Sequence, residues 1–135
     1  MAGTLLAQRR CLIIADGFFE WVKEGKHKQP VLIKREDGRP FAFAGLWDRW
    51  FEEPGKPVYT CTIVTTAASP LLRPVHDRMP VILDPRERDV WLNRTSSIDD
   101  LQALLRPNQE PFEIIPVTPL VNSAKNDGPE VIVPL

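Results

Sequence analysis

The run Val58-Tyr59-Thr60-Cys61-Thr62-Ile63-Val64-Thr65-Thr66 is the strongest strand signal in the chain. All but Tyr59 and Cys61 are β-branched, and branching at Cβ restricts χ1, which disfavours helix and suits a pleated surface. Glu52 to Pro57, just upstream, is a Pro/Gly loop. Before it lie an apolar segment, Phe41 to Trp47, a turn at Glu36-Asp37-Gly38-Arg39-Pro40, and a strand at Val31 to Lys34. Glu24 to Gln29 is polar and carries a glycine, as a hairpin loop does, and Phe18 to Lys23 and Cys11 to Ala15 complete a meander of short antiparallel strands.

Downstream the pattern changes. Ser69 to Arg73 suits a single helical turn, Pro74 to Pro80 is irregular, and Val81 to Leu83 returns to strand. Asp84 as N-cap and Pro85 at the first helical position start a helix to about Leu92. Ser97 caps a second, Ile98 to Leu105, with Asp99 and Asp100 placed to favour the helix dipole. Phe112 to Val117 is a last strand and Asn126-Asp127-Gly128-Pro129 a turn. The expected class is α+β with a β-dominated core.

Of the 135 residues, 43% are hydrophobic and 26% charged, the balance of a globular domain rather than a disordered chain. Fourteen prolines favour short elements joined by rigid turns. A net charge of -1 gives no global positive field, so composition is neutral on nucleic acid. Cys11 and Cys61 each sit in an apolar run without C-x-x-C spacing and are expected as buried free thiols. No apolar run is long enough to cross a bilayer. The opening MAGTLLAQRR reads as a chain that starts within a domain and passes straight into a strand, not as a targeting peptide.

Two stretches hold candidate chemistry. In Ala15-Asp16-Gly17-Phe18-Phe19-Glu20-Trp21, strand alternation puts Phe18 and Glu20 on one face and Phe19 and Trp21 on the other. Enclosed among aromatics, Glu20 would resist ionisation and suit proton transfer; the spacing alone favours a solvated carboxylate on an edge strand. In His76-Asp77-Arg78-Met79-Pro80, the prolines at 74 and 80 stiffen the backbone around His76, and a held histidine is a natural general acid or base. A turn held by a His–Asp pair explains the same residues equally well. His27, between two lysines, reads as solvated. Arg78 suits a phosphate through its planar fork, and Thr60, Thr62, Thr65, Thr66 and Ser69 offer hydroxyls. Trp47, Trp50, Phe41, Phe43 and Phe51 suit base stacking, although core packing accounts for most. There is no nucleophile elbow, no Gly-rich phosphate loop and no paired metal-ligand spacing.

Four ordered blocks resemble the SOS response-associated peptidase (SRAP) family. Residues 10–21, R-C-L-I-I-A-D-G-F-F-E-W, are similar to its R-C-L-I-P-A-D-G-F-Y-E-W block, with Ile14 for a proline and Phe19 for a tyrosine. Phe43 to Trp47 resembles its F-A-G-L-W strand, and Thr65-Thr66-Ala67-Ala68 followed by His76 to Leu83 its T-x-A…H-D-R-M-P-V-I-L segment. Val121-Asn122-Ser123 and Asn126 to Glu130 resemble its ending.

The resemblance implies an antiparallel, barrel-like sheet, here incomplete, with two or three short helices in one domain over 1–135. It implies capture of abasic sites in single-stranded DNA, with no metal or small-molecule cofactor and no membrane, by a cytoplasmic protein expected to be monomeric. In the family an N-terminal cysteine, exposed by removal of the initiator methionine, closes a thiazolidine on the abasic aldehyde through a Schiff base. Glu20 matches the glutamate of self-processing and proton transfer at the amine. His76 matches the histidine of sugar ring-opening and crosslink reversal. Arg78 and a threonine of Thr65-Thr66 match residues that hold flanking phosphates. The departure is at the start: Met1-Ala2-Gly3 has no second-position cysteine, and Cys11 matches a strand residue. This polypeptide alone is therefore expected not to crosslink abasic DNA. Two other readings are a non-catalytic single-strand DNA-binding module and a structural β-domain without a ligand.

Overall fold

A computed structural model describes residues Ala2–Leu135, with side chains from Thr4 onward. The chain divides into two compact units, each assembled from separated segments. The first takes the chain through Ile14, Phe41–Ala67 and Arg78–Asn108; the second takes Ala15–Pro40, Ala68–Asp77 and Gln109–Leu135.

The first unit contains helix α1 (Ala2–Gln8) and strand β1 (Arg10–Ala15), which lies beside β4 (Phe41–Glu53). The opening residues were expected to enter a strand directly; instead Leu5 and Leu6 sit in a seven-residue helix of about two turns, with Leu6 packed on the core. β4 pairs on its other side with β5 (Lys56–Ile63), antiparallel, with Gly45 opposite Ile63 and Trp47 opposite Cys61. Both strands run further than the polar loop at 52–57 suggested, because backbone pairing continues to a two-residue turn at Pro54-Gly55 whatever the side chains' polarity. The strong strand signal at 58–66 is broken at Val64. Its N–H donates to the Ala44 carbonyl at 2.9 Å, and β6 (Thr65–Ala67) then pairs with β7 (Arg78–Pro80). β8 (Ile82–Leu83) pairs with the start of β4.

Gly45 is required by close approach. A Cβ there would lie 2.8 Å from the Cys11 sulfur and 3.0 Å from the Ile13 Cδ1 on β1. Helix α2 (Pro85–Leu92) starts as the sequence predicts: the Asp84 carboxylate accepts from the Glu87 amide at 2.9 Å, and the Glu87 side chain accepts from the Asp84 N–H, a capping box. It delivers Trp91, fully buried, into a core with Ala44, Val81, Leu83 and Leu101, the last from α3 (Ile98–Ala103). The Trp91 indole N–H donates to the Cys11 carbonyl at 2.9 Å, so the largest buried ring leaves no polar atom unpaired.

The thiols depart from expectation. Both are free, but only Cys11 is half-buried; Cys61 is exposed, because β5 is the last strand of its sheet and is exposed along its whole length. Among the aromatics, Phe41 and Phe43 are core and meet edge to face at 5.3 Å, whereas Trp50 and Phe51 on the distal part of β4 are exposed.

The second unit is an antiparallel sheet in the order β2 (Phe18–Glu24), β3 (His27–Arg35), β9 (Phe112–Pro116). β2 and β3 meet through Gly25-Lys26, with φ of +62° at Gly25, a conformation that glycine adopts without steric cost. The polar stretch at 24–29, expected as a loop, is thus mostly paired strand. Val31, Ile33, Phe112 and Val117 are buried here. The class is α+β and β-dominated as expected. The sheets are antiparallel and do not close into a barrel. No helix among the described residues is long and apolar enough to cross a membrane.

Candidate functional site

Within the second unit, a cavity of about 530 Å3 is lined by Glu20, Trp21, Lys28, His76 and Asn122. Both candidate catalytic side chains therefore share one pocket. Glu20 reaches it from β2, where it stands opposite Val31; Trp21 stands opposite Pro30 and faces the other side of the sheet. The cavity thus takes lining residues from both faces of β2, the outer strand of its sheet. Glu20 is half-buried there, partly enclosed rather than a fully solvated edge carboxylate.

His76 arrives from the loop Ala68–Asp77. The Ala68 N–H donates to the Asp77 carbonyl at 2.9 Å and closes the loop at its base. Inside it the Leu72 carbonyl accepts from the amides of Val75 and His76, at 2.9 and 3.0 Å, and Leu72 itself is buried. Prolines at 70 and 74 remove donors and fix φ, so the loop has few ways to open. The His76 Nδ1 lies 3.2 Å from the Asp77 carboxylate, which is almost wholly exposed. That contact orients the imidazole through one nitrogen, the His–Asp pair anticipated as a bare turn motif, in a residue that also lines the pocket.

Trp21 and Asn122 also line the cavity. The indole N–H donates to the Asn122 side-chain oxygen at 2.6 Å, joining β2 to a 3-10 turn at Pro119–Asn122. Trp21, Lys28 and Asn122 were not singled out for the site from the residues. Asn122 lay within a block resembling the family's ending; Lys28 had no signal beyond its charge.

Arg78, Thr65 and Thr66 belong to the first unit. The Arg78 Nη2 donates to the Thr65 carbonyl and hydroxyl, at 3.0 and 3.1 Å, across the β6–β7 pair. Guanidinium and hydroxyl thus stand together on an exposed surface, as a phosphate clamp needs. The hydroxyl of Thr66 points elsewhere, donating to the Leu105 carbonyl at 3.3 Å. Of the two threonines, only Thr65 joins the arginine. Among the described residues no three His, Cys, Asp or Glu side chains are grouped to hold a metal.

Burial, and secondarily Cys61, pushes the Cys11 thiol above its ordinary range. Neither thiol lines the cavity that holds Glu20 and His76.

Known proteins supply the context. The family described as SOS response associated peptidase (SRAP) matches residues 3–124. The abasic site processing protein YoqW of Bacillus subtilis is 45% identical over 130 residues, covering 94% of this chain and 58% of that protein. The abasic site processing protein HMCES of Gallus gallus is 38% identical, over 98% of this chain and 46% of its own length. YedK of Escherichia coli, of the same description, is 36% identical over 93% and 58%. A crystal structure of a protein from Bacteroides thetaiotaomicron superimposes with a TM-score of 0.86 at 30% identity, covering 96% of this chain and 58% of that one. The chain thus spans a little over half the length of the first of these relatives.

Proposed function

The chain belongs to the SOS response-associated peptidase family, and from that membership we propose that it acts on abasic sites in single-stranded DNA, with Glu20 and His76 moving the protons. The observation that carries the reading is the single cavity lined by both groups. The family match runs through segments of both units, and we take residues 1–135 as one SRAP domain acting as a monomer.

An abasic deoxyribose rests mostly as a ring-closed hemiacetal, which does not react with an amine. Opening it removes the proton of the C1′ hydroxyl and delivers one to O4′ as the C1′–O4′ bond breaks. An imidazole held through Nδ1 suits both transfers because its ring nitrogens can accept one proton and donate another. When an amine then adds to the aldehyde, it must lose a proton, and the Glu20 carboxylate is the acceptor within the same cavity. Arg78 and Thr65 are assigned to a backbone phosphate, and Thr66 to packing through its Leu105 bond.

The family's nucleophile needs an α-amine beside its thiol. Cys11 and Cys61 both have an ordinary peptide on their N side, so neither can close a thiazolidine. The same fact keeps open a reading as a single-strand binding module without covalent chemistry. Binding to an oligonucleotide with one abasic site, measured beside the undamaged strand, tests the assignment. The abasic strand binds more tightly, and Glu20→Gln and His76→Ala each erase the difference without unfolding the protein. Equal affinities in the unaltered chain would remove the function from this pocket.

A further inference from the structure

The β2–β3 hairpin separates its charges by face. Lys23 stands directly opposite Lys28, and Glu24 opposite His27. Because side chains alternate, Trp21, Lys23, Lys28 and Pro30 share one face, while Glu20, Val22, Glu24, His27 and Gln29 share the other. The hairpin's carboxylates are therefore all on one side, and its two cross-strand lysines on the side without any. Lys26 adds a third ammonium at the turn. All three lysines are exposed, and among the described residues none of them forms an ion pair.

Like charges placed directly opposite on neighbouring strands oppose folding. Here no acid is ion-paired with either lysine, and one member of the pair, Lys28, lines the pocket with Glu20 and His76. We propose that Lys23, Lys26 and Lys28 form a phosphate-binding rim that holds the backbone of a single nucleic-acid strand as it enters the cavity. Directly opposed strand residues have Cα atoms about 4.5–5.5 Å apart. Two flexible ammonium arms from such a base can grip successive phosphates or both oxygens of one. Lysine suits this duty because it holds a backbone as a point charge and reads no base. The proposal rests on the reading of the chain as a single-strand DNA-binding protein and adds the residues that anchor the strand beside the reacting sugar.

Salt dependence tests it. Each phosphate contact on a single strand contributes about 0.7 to the slope of log affinity against log salt. With a labelled, undamaged oligonucleotide and the full chain, Lys28→Gln lowers that slope by about 0.7, and Lys23→Gln with Lys28→Gln lowers it by about 1.4. Lys56→Gln, at the tip of the other hairpin and paired with Glu53, leaves it unchanged. Thermal unfolding of the variants confirms that they fold, which removing an opposed charge favours. A double variant with the original slope overturns the rim while leaving the pocket's function intact. An unaltered chain that binds no single strand overturns both. A slope that falls as stated, in a chain without abasic preference, supports the rim and rejects the assignment to Glu20 and His76.

Discussion

Trp21 and Asn122 are joined by a 2.6 Å hydrogen bond although 101 residues separate them in sequence. The bond fastens the C-terminal segment to β2 next to Glu20, so one wall of the pocket depends on a residue near the end of the chain. The indole N–H is donor only, and the asparagine oxygen is the acceptor it has found.

Asn122→Leu removes that acceptor. An unmade hydrogen bond at a partly exposed site costs about 0.5–1.5 kcal/mol, and the variant is expected to lose about that much in chemical denaturation. Asn122→Asp, which keeps an acceptor oxygen, recovers most of it. Equal stability of all three proteins would mean that the contact holds nothing in place.

Gly45→Ala tests the close approach of β1 and β4. Its new methyl meets the Cys11 sulfur at 2.8 Å, and overpacking of this kind costs about 1–3 kcal/mol. Adding Cys11→Ala relieves part of the clash, so the double variant is more stable than the sum of the single effects predicts. Strict additivity would place the strain elsewhere.

The capping box of α2 gives a pH-dependent expectation. The Glu87 amide, donating to the Asp84 carboxylate, holds that group below its ordinary range. A carboxylate depressed on folding stabilises the protein above its unfolded pKa, about 3.9, and the contribution disappears as pH falls through the lower folded value. Asp84→Ala is therefore about 1 kcal/mol less stable than the unaltered chain near neutrality, and the gap narrows in acid below about pH 4. A gap constant from neutral pH to strong acid would contradict the cap.

The two thiols differ in environment, and alkylation reads the difference. Cys61 is exposed, whereas Cys11 is half-buried with its thiolate disfavoured by that burial. A maleimide reagent is expected to modify Cys61 first, with Cys11 following only at higher pH or on unfolding. Simultaneous labelling would show the β1–β4–β5 sheet to be open in solution.

Much of the fold was legible wherever a local rule has few exceptions. Asp84-Pro85 set the start of α2, and β-branched runs marked the strands. Strand ends were missed at Glu24, His27, Glu53 and Lys56, because backbone pairing carries on through polar side chains when a tight Gly turn holds the register. Burial of Cys61 was misjudged for a related reason: β-branching signals a pleated surface, not a covered one. At the site, Glu20 and His76 were reachable from their motifs. Lys28 and the Trp21–Asn122 wall were not, since a pocket depends on which distant segments meet and no spacing encodes that.

The most direct test of the pocket uses free cysteine in solution as the nucleophile, which makes the result independent of the chain's own thiols. The protein is added to abasic single-stranded DNA and cysteine, and the rate of thiazolidine formation is followed. Positioned acid–base groups contribute about 10²–10⁴-fold. The chain is expected to accelerate capture, with His76→Ala losing at least about 10²-fold and Glu20→Gln slowing the amine-addition step. Capture at the uncatalysed rate, or acceleration untouched by both substitutions, would contradict the assignment of this cavity to abasic-site chemistry.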